Sequence, residues 1–144
     1  MITREQVLSV YESVVEQACN FRQAGQEVVM TFFLILPDKT ILLPREALPD
    51  DKDDLLRMVK AAANYFGARY VLQVSEAWVS CIADGKAPSE QPDRTEAIIV
   101  MVDGPGLRRM TTIPILSENT LGERQDVDEF GGRFGSFTDS EDYN

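Results

Sequence analysis

Glu76 stands in the run Val74-Ser75-Glu76-Ala77-Trp78, a carboxylate enclosed by strand-forming apolar residues. Alternate residues of a strand share a face, so Tyr70, Leu72, Val74, Glu76, Trp78 and Ile82 form one row. A carboxyl buried in such a row loses hydration and holds its proton more tightly, as general acids and bases require. Arg94, Arg69 and Arg108 are cations that the fold could bring to it. Arg94 closes the connection 83–94, whose twelve residues are long for a hairpin link and are stiffened by Pro88 and Pro92. Glu76 with Arg94 reads in two ways. As a catalytic pair it would serve a small hydrolase or a nucleotide-processing enzyme. As a structural pair it would tie the third strand to the loop ahead of the fourth, which is the commoner use of a carboxylate and a guanidinium and is the expectation here. Asp93 and Arg94 are also candidates for contact with a charged group on a partner.

Other catalytic chemistries are excluded by residue type. The chain has no histidine, which removes imidazole bases, the Ser/His/Asp and Cys/His nucleophile systems and histidine metal sites. Its two cysteines, Cys19 and Cys81, have no metal-ligand spacing and are too few for a disulfide scaffold; they read as reduced, partly buried thiols. Asp50, Asp51, Asp53 and Asp54 lack the alternation, central glycine and closing glutamate of a calcium loop and suit the start of a helix. Neither Gly104-Pro105-Gly106 nor the Gly-Gly-Arg-Phe-Gly run at 131–135 lies between a strand and a helix, so no phosphate loop is formed. No metal site and no cofactor is expected.

The elements that would position Glu76 follow from periodicity. Thr3-Arg4-Glu5-Gln6 is a capping box, and Val7, Leu8, Tyr11, Val14, Val15, Ala18 and Phe21 keep helical spacing up to Gly25. Residues 28–36 read as a strand, Pro37-Asp38-Lys39 as a turn and 40–43 as a short return. A second helix opens on the aspartates at 50 or 51, buries Leu55, Leu56, Val59, Ala62, Ala63 and Phe66, and stops at Gly67. Strands are predicted over 69–82, 95–102 and 107–116, the last two joined by Asp103-Gly104-Pro105-Gly106. The order α-β-β-α-β-β-β indicates an α+β domain, with a largely antiparallel five-stranded sheet packed with two helices.

Strands 28–36 and 97–102 are apolar on both faces and need cover on both. Two helices of this length are expected to cover one face. The other face then needs the tail, a second subunit or a partner, and self-association as a homodimer through that face or an edge strand is one expectation. The single domain is expected to span 1–116, followed by an acidic Gly/Phe-containing tail at 117–144. That tail carries eight acids and two arginines, a net −6 of the chain's −10. Phe130, Phe134 and Phe137 interrupt its polar character and are candidate partner anchors.

An acidic body with a more acidic tail opposes direct nucleic-acid binding, which needs cations on the phosphates. It suits a protein partner with a basic surface. The first residues lack a signal-peptide pattern and no apolar run reaches spanning length, so a cytoplasmic protein away from membranes is expected.

The run Val-Ser-Glu-Ala-Trp at 74–78, the loop ending Pro92-Asp93-Arg94 with Glu96, and the closing Pro114-Ile115 resemble a pattern found in small bacterial and phage proteins. The resemblance covers roughly a third of the chain, 70–115, and excludes the acidic tail. It implies kinship and a phage or mobile-element origin, and no activity. Together these readings favour a non-enzymatic binding module, an accessory or inhibitor protein engaging a basic partner surface.

Overall fold

The computed structural model describes residues 2–80, 85–86 and 90–128. Helix α1 spans Arg4–Gln23 and opens on the expected capping box: Gln6 N–H donates to Thr3 Oγ1 at 3.1 Å, and Thr3 N–H to Gln6 Oε1 at 2.8 Å. Its stripe of Val7, Tyr11, Val14, Val15 and Ala18 is buried. Phe21, at the same helical spacing, is instead 54% exposed.

Strand β1 (Thr31–Ile35) turns through Pro37-Asp38 into β2 (Thr40–Pro44), closed by Leu36 N–H donating to Lys39 O at 2.9 Å. A 3-10 turn at Arg45–Ala47 leads to α2 (Lys52–Phe66). The Asp51 side chain caps α2 by accepting from Asp54 N–H, and Gly67 ends it at φ 75°, a left-handed conformation that glycine adopts without strain. Then come β3 (Tyr70–Val79), β4 (Thr95–Gly104), β5 (Leu107–Ser117) and the short β6 (Thr120–Leu121) and β7 (Gln125–Asp128).

The α+β class and the element order are as the sequence indicates, with every pairing among the described residues antiparallel. The strands run β2-β1-β3-β4-β5-β6, and β7 lies beside the other half of β5. Among the described residues seven strands therefore replace the expected five, and the two additions come from the segment read as tail. Gln-Asp-Val-Asp at 125–128 has no apolar alternation to betray a strand, and cross-strand side-chain bonds hold it. Arg109 meets Asp128 at 3.0 Å, and Thr111 donates to Asp126 at 2.6 Å. The sheet thus continues to Asp128 rather than ending at Leu116.

The helices lie on opposite faces, not on one. On β3, Tyr70, Leu72 and Val74 pack with the buried side of α1, together with Ile98, Val100 and Val102 of β4. Val71 faces the other way and packs with Phe32, Leu34 and α2 residues Leu55, Val59 and Ala63. This division answers the two-sided apolarity of β1: Phe33 and Ile35 belong to the α1 side, Phe32 and Leu34 to the α2 side. Phe32, Leu34 and Ile35 are fully buried, and each contributes about 1.5–3 kcal/mol. A third cluster of Ala97, Ile99 and Met101, with Ala77, Val79 and Met110, occupies the α2-side face of β4.

Gly104 ends β4 where the ring of Tyr70 crosses the backbone. A Cβ there would collide with Tyr70 Cδ1 and lie 2.6 Å from Arg69 O.

Candidate binding site

The arginine that meets Glu76 is Arg22, from the last turn of α1. Its Nη1 lies 3.2 and 3.3 Å from the two carboxylate oxygens, and Val28 N–H donates to Oε2 at 2.7 Å. The expected pair with Arg94 is not formed. Glu76 shares the α1-facing side of β3 with Val74, and Arg22 at the end of α1 reaches it there. The two side chains are only 16% and 9% exposed, which makes the contact a clamp between helix, strand and the 24–30 connection.

Arg94 instead stacks over Trp78, its Cζ 5.0 Å from the ring centroid. Such a cation–π contact is worth roughly 0.5–1 kcal/mol at an exposed position. Asp93 accepts a short hydrogen bond from the Ser80 hydroxyl, which fastens the end of β3 to the entry of β4. Asp93 and Arg94 are both exposed and stand together at this end of the sheet. Phe130, Phe134 and Phe137 lie outside the described residues, as does part of the 83–94 loop.

A polar network that the sequence does not signal lies beneath α1. The Tyr11 hydroxyl reaches Val100 O at 3.0 Å and Thr111 Oγ1 at 2.5 Å, and Thr111 in turn donates to Asp126. Arg124 bonds Glu12 through both terminal nitrogens at 2.7 Å and Asp126 through Nε at 3.0 Å. Burial pushes the Tyr11 phenol well above its ordinary range. The Arg124 hydrogen bond holds the Glu12 carboxyl below the usual value. Burial works against ionisation of Asp126, but hydrogen bonds from Thr111 and Arg124 outweigh it and lower that carboxyl. The network pins β7 to α1 and leaves a tyrosine that does not ionise at neutral pH, which suits structure rather than proton transfer. Helical period places Tyr11 in the core; nothing in the spacing of Thr111, Arg124 and Asp126 brings them to it.

Among the described residues no three His, Cys, Asp or Glu side chains gather as a metal site, and no helix is long and apolar enough to cross a membrane. Burial raises the thiol pKa of Cys19, which makes it a poor nucleophile.

Among the described residues a groove of about 380 Å³ lies on the α1 side of the sheet. α1 packs on β3, β4 and β6, and the groove opens beside it over Phe33 of β1 and Leu42 of β2. Val14, Ala18 and Phe21 make one wall, Phe33 and Leu42 lie on the strands, and Val28 and Val29 close the end. Phe21, Val29 and Leu42 are each more than half exposed. Glu27 is the one charged side chain among the lining residues. The Glu76–Arg22 clamp holds Val28, and so fixes the end wall. No protein-family model, no curated protein and no solved structure matches the chain.

Proposed function

We propose that the chain is a non-enzymatic protein-binding module, an acidic accessory protein of phage or mobile-element type. It docks on a partner with a basic surface and acts by occupying that surface. The observation that carries this reading is the groove beside α1. Three large apolar side chains, Phe21, Val29 and Leu42, stand exposed around an apolar floor whose one charged lining residue is an acid. Apolar anchors in a concave patch supply affinity, and the net charge of −10 hastens encounter with a cationic surface. The partner segment that fits is apolar at its centre and basic at its flanks. An enzyme built on Glu76 and Arg94 has less support, because each is engaged elsewhere, by Arg22 and by Trp78.

The test is affinity capture from the native host with the full-length chain, in parallel with Phe21→Asp and Val29→Asp. The expected result is a protein retained by the wild type, released by salt, and bound at least ~10-fold more weakly by both variants, the scale of an interface hot spot. A partner that binds all three chains equally would remove the groove from the interface. A captured protein indifferent to salt would remove the electrostatic part of the reading.

A further inference from the structure

We infer that the exposed face of α2 is a docking surface for the end of the chain's own acidic tail, Glu141-Asp142-Tyr143. The contact is independent of the groove beside α1. From Leu55 to Ser75 the chain has no aspartate or glutamate, and Arg57, Lys60 and Arg69 give that stretch three positive charges in a molecule of net −10. Two of them stand exposed on α2: Lys60, and Arg57, whose side chain is 76% exposed while it meets Asp54 at 3.0 Å. An apolar stripe runs beside them. Leu55, Val59 and Ala63 are buried, so Met58, Ala61 and Tyr65, at i, i+3 and i+7, stand on another flank of the helix. Tyr65 is 84% exposed and Met58 44%. Phe66 meets the Tyr65 ring edge-on, 5.0 Å between centroids, and leaves most of the tyrosine open.

The occupant follows from charge and from where the described chain ends. Residues 129–144 carry four acids against one arginine, and three of those acids, Asp139, Glu141 and Asp142, lie within the last six residues, beside Tyr143. Two acids followed by an aromatic ring complement two cations set beside an apolar stripe. β7 runs antiparallel to β5, from Gln125 opposite Thr112 to Asp128 opposite Arg109, so the chain leaves the sheet heading towards Leu107. At that end the ring of Tyr70, the first residue of β3, lies against Gly104, and Tyr70 follows closely on Gly67, where α2 stops.

The chain is long enough to make the contact. Asp128 stands opposite Arg109, Arg109 opposite Val102, and Val102 opposite Leu72. Those three strand spacings make about 14 Å. Leu72 and Tyr65 are seven residues apart in the chain, which cannot span more than ~25 Å. Tyr65 is therefore within ~40 Å of Asp128, and Tyr143, fifteen residues past Asp128, has a reach of ~50 Å. A tethered segment acts at an effective concentration on the order of millimolar, so a contact too weak to hold a separate peptide holds this one. A second copy would bring the same acids, but with the rest of a −10 chain attached. With the tail docked, the cations of α2 are neutralised and its exposed aromatic residue is covered, which leaves an acidic surface for the encounter with a basic partner.

Carbodiimide crosslinking of the full chain, read by mass spectrometry, tests this, because it joins an amine to a carboxylate only where the two touch. Lys60 is expected to join Glu141 or Asp142 in far higher yield than Lys39 or Lys52 does. High salt should lower that yield by screening the charges. Tyr65→Ala keeps both reacting groups and changes an exposed side chain, so it should melt like the wild type and lower the yield at least ~3-fold. Phe21→Asp, in the groove, should leave the yield unchanged, so a failure of the groove reading and a failure of this one are told apart. An equal mixture of isotope-labelled and unlabelled chains shows whether the crosslink lies within one chain. Crosslinks between labelled and unlabelled copies, equal yields at the three lysines, or a yield untouched by Tyr65→Ala would each overturn the inference. So would a Lys60 that no tail carboxylate joins, which would leave this face to an acidic segment of another protein.

Discussion

Arg22 closes on Glu76 at 3.2 Å, from the last turn of α1 to the middle of β3, and the same carboxylate accepts the Val28 amide at 2.7 Å. One acidic side chain thus sets where the first helix ends against the sheet and how the chain returns towards β1. The groove beside α1 takes its end wall from that arrangement.

Glu76→Gln keeps the shape and an acceptor for Val28 but removes the charge that Arg22 faces. Because the pair is mostly buried, the loss should be about 2–3 kcal/mol, below the range for a fully enclosed pair. Arg22→Ala should cost a similar amount, whereas Arg94→Ala should change stability by less than about 1 kcal/mol. Urea unfolding of the three variants decides between Arg22 and Arg94 as the partner. Equal losses for Arg22→Ala and Arg94→Ala would contradict the geometry.

Tyr11 predicts a loss of stability in alkali. Its phenol is raised above the ordinary value of 10.0 by burial, so the folded state keeps the proton that the unfolded state releases. The contribution is complete below pH 10 and is lost as pH rises above it, at up to ~1.4 kcal/mol per pH unit. Tyr11→Phe should flatten that slope and, by giving up the bonds to Val100 and Thr111, lower stability at neutral pH by about 1–2 kcal/mol. Stability curves of both proteins from pH 7 to pH 11 measure the difference.

On the acid side Glu12 and Asp126 act with the opposite sign. Both carboxyls are lowered in the fold, so their contribution is present above the unfolded values and disappears as pH falls through the folded ones. Both are around half exposed, and solvent screening limits each to a fraction of a kcal/mol. Arg124→Ala should therefore make stability less sensitive to pH between about 5 and 3. An unchanged acid limb would mean that the contacts made by Arg124 carry no net energy.

The features legible in the sequence are local ones. The capping box at Thr3, the aspartates before α2, Gly67 and the turn at Asp103–Gly106 each act within a few residues, and all place their elements correctly. Glu76 is recognisable as a carboxylate needing an arginine, but the choice among arginines depends on which side chains share a face after folding. Helical period gives no sign that the end of α1 reaches β3, so Arg22 does not stand out beside Arg94, Arg69 and Arg108. The same limit hides the placement of the helices on opposite faces. β7 escapes notice for a different reason: its residues are polar, and pairing with Arg109 and Thr111 takes the place of the apolar alternation that marks a strand.

Gly104 offers a packing test. The added methyl of Gly104→Ala would meet Tyr70 and the carbonyl of Arg69, and the latter is backbone that cannot swing aside. Overpacking of this kind typically costs about 1–3 kcal/mol. Pairing with Tyr70→Ala, which removes the ring but not the carbonyl, should restore only part of the loss in a double-mutant cycle.

Truncation separates the strands of the sheet from the residues beyond Asp128. A chain ended after Leu116 loses β6 and β7, and with them Arg124, Asp126 and Asp128. The edge of β5 is then unpaired, Thr111 loses its acceptor, and Glu12 on α1 loses its arginine. That chain should melt at a lower temperature and aggregate, since β5 would present its backbone donors and acceptors to other copies. A chain ended after Asp128 keeps every described pairing of β5 and should melt at a higher temperature than the chain ended after Leu116. It also lacks Phe130, Phe134 and Phe137, so it is the appropriate chain for asking whether those residues contribute to partner binding. Comparing melting curves of the two truncations with the full chain checks the boundary. Equal stability of all three would mean that the bonds from Arg109, Thr111 and Arg124 to β7 contribute nothing to holding the sheet.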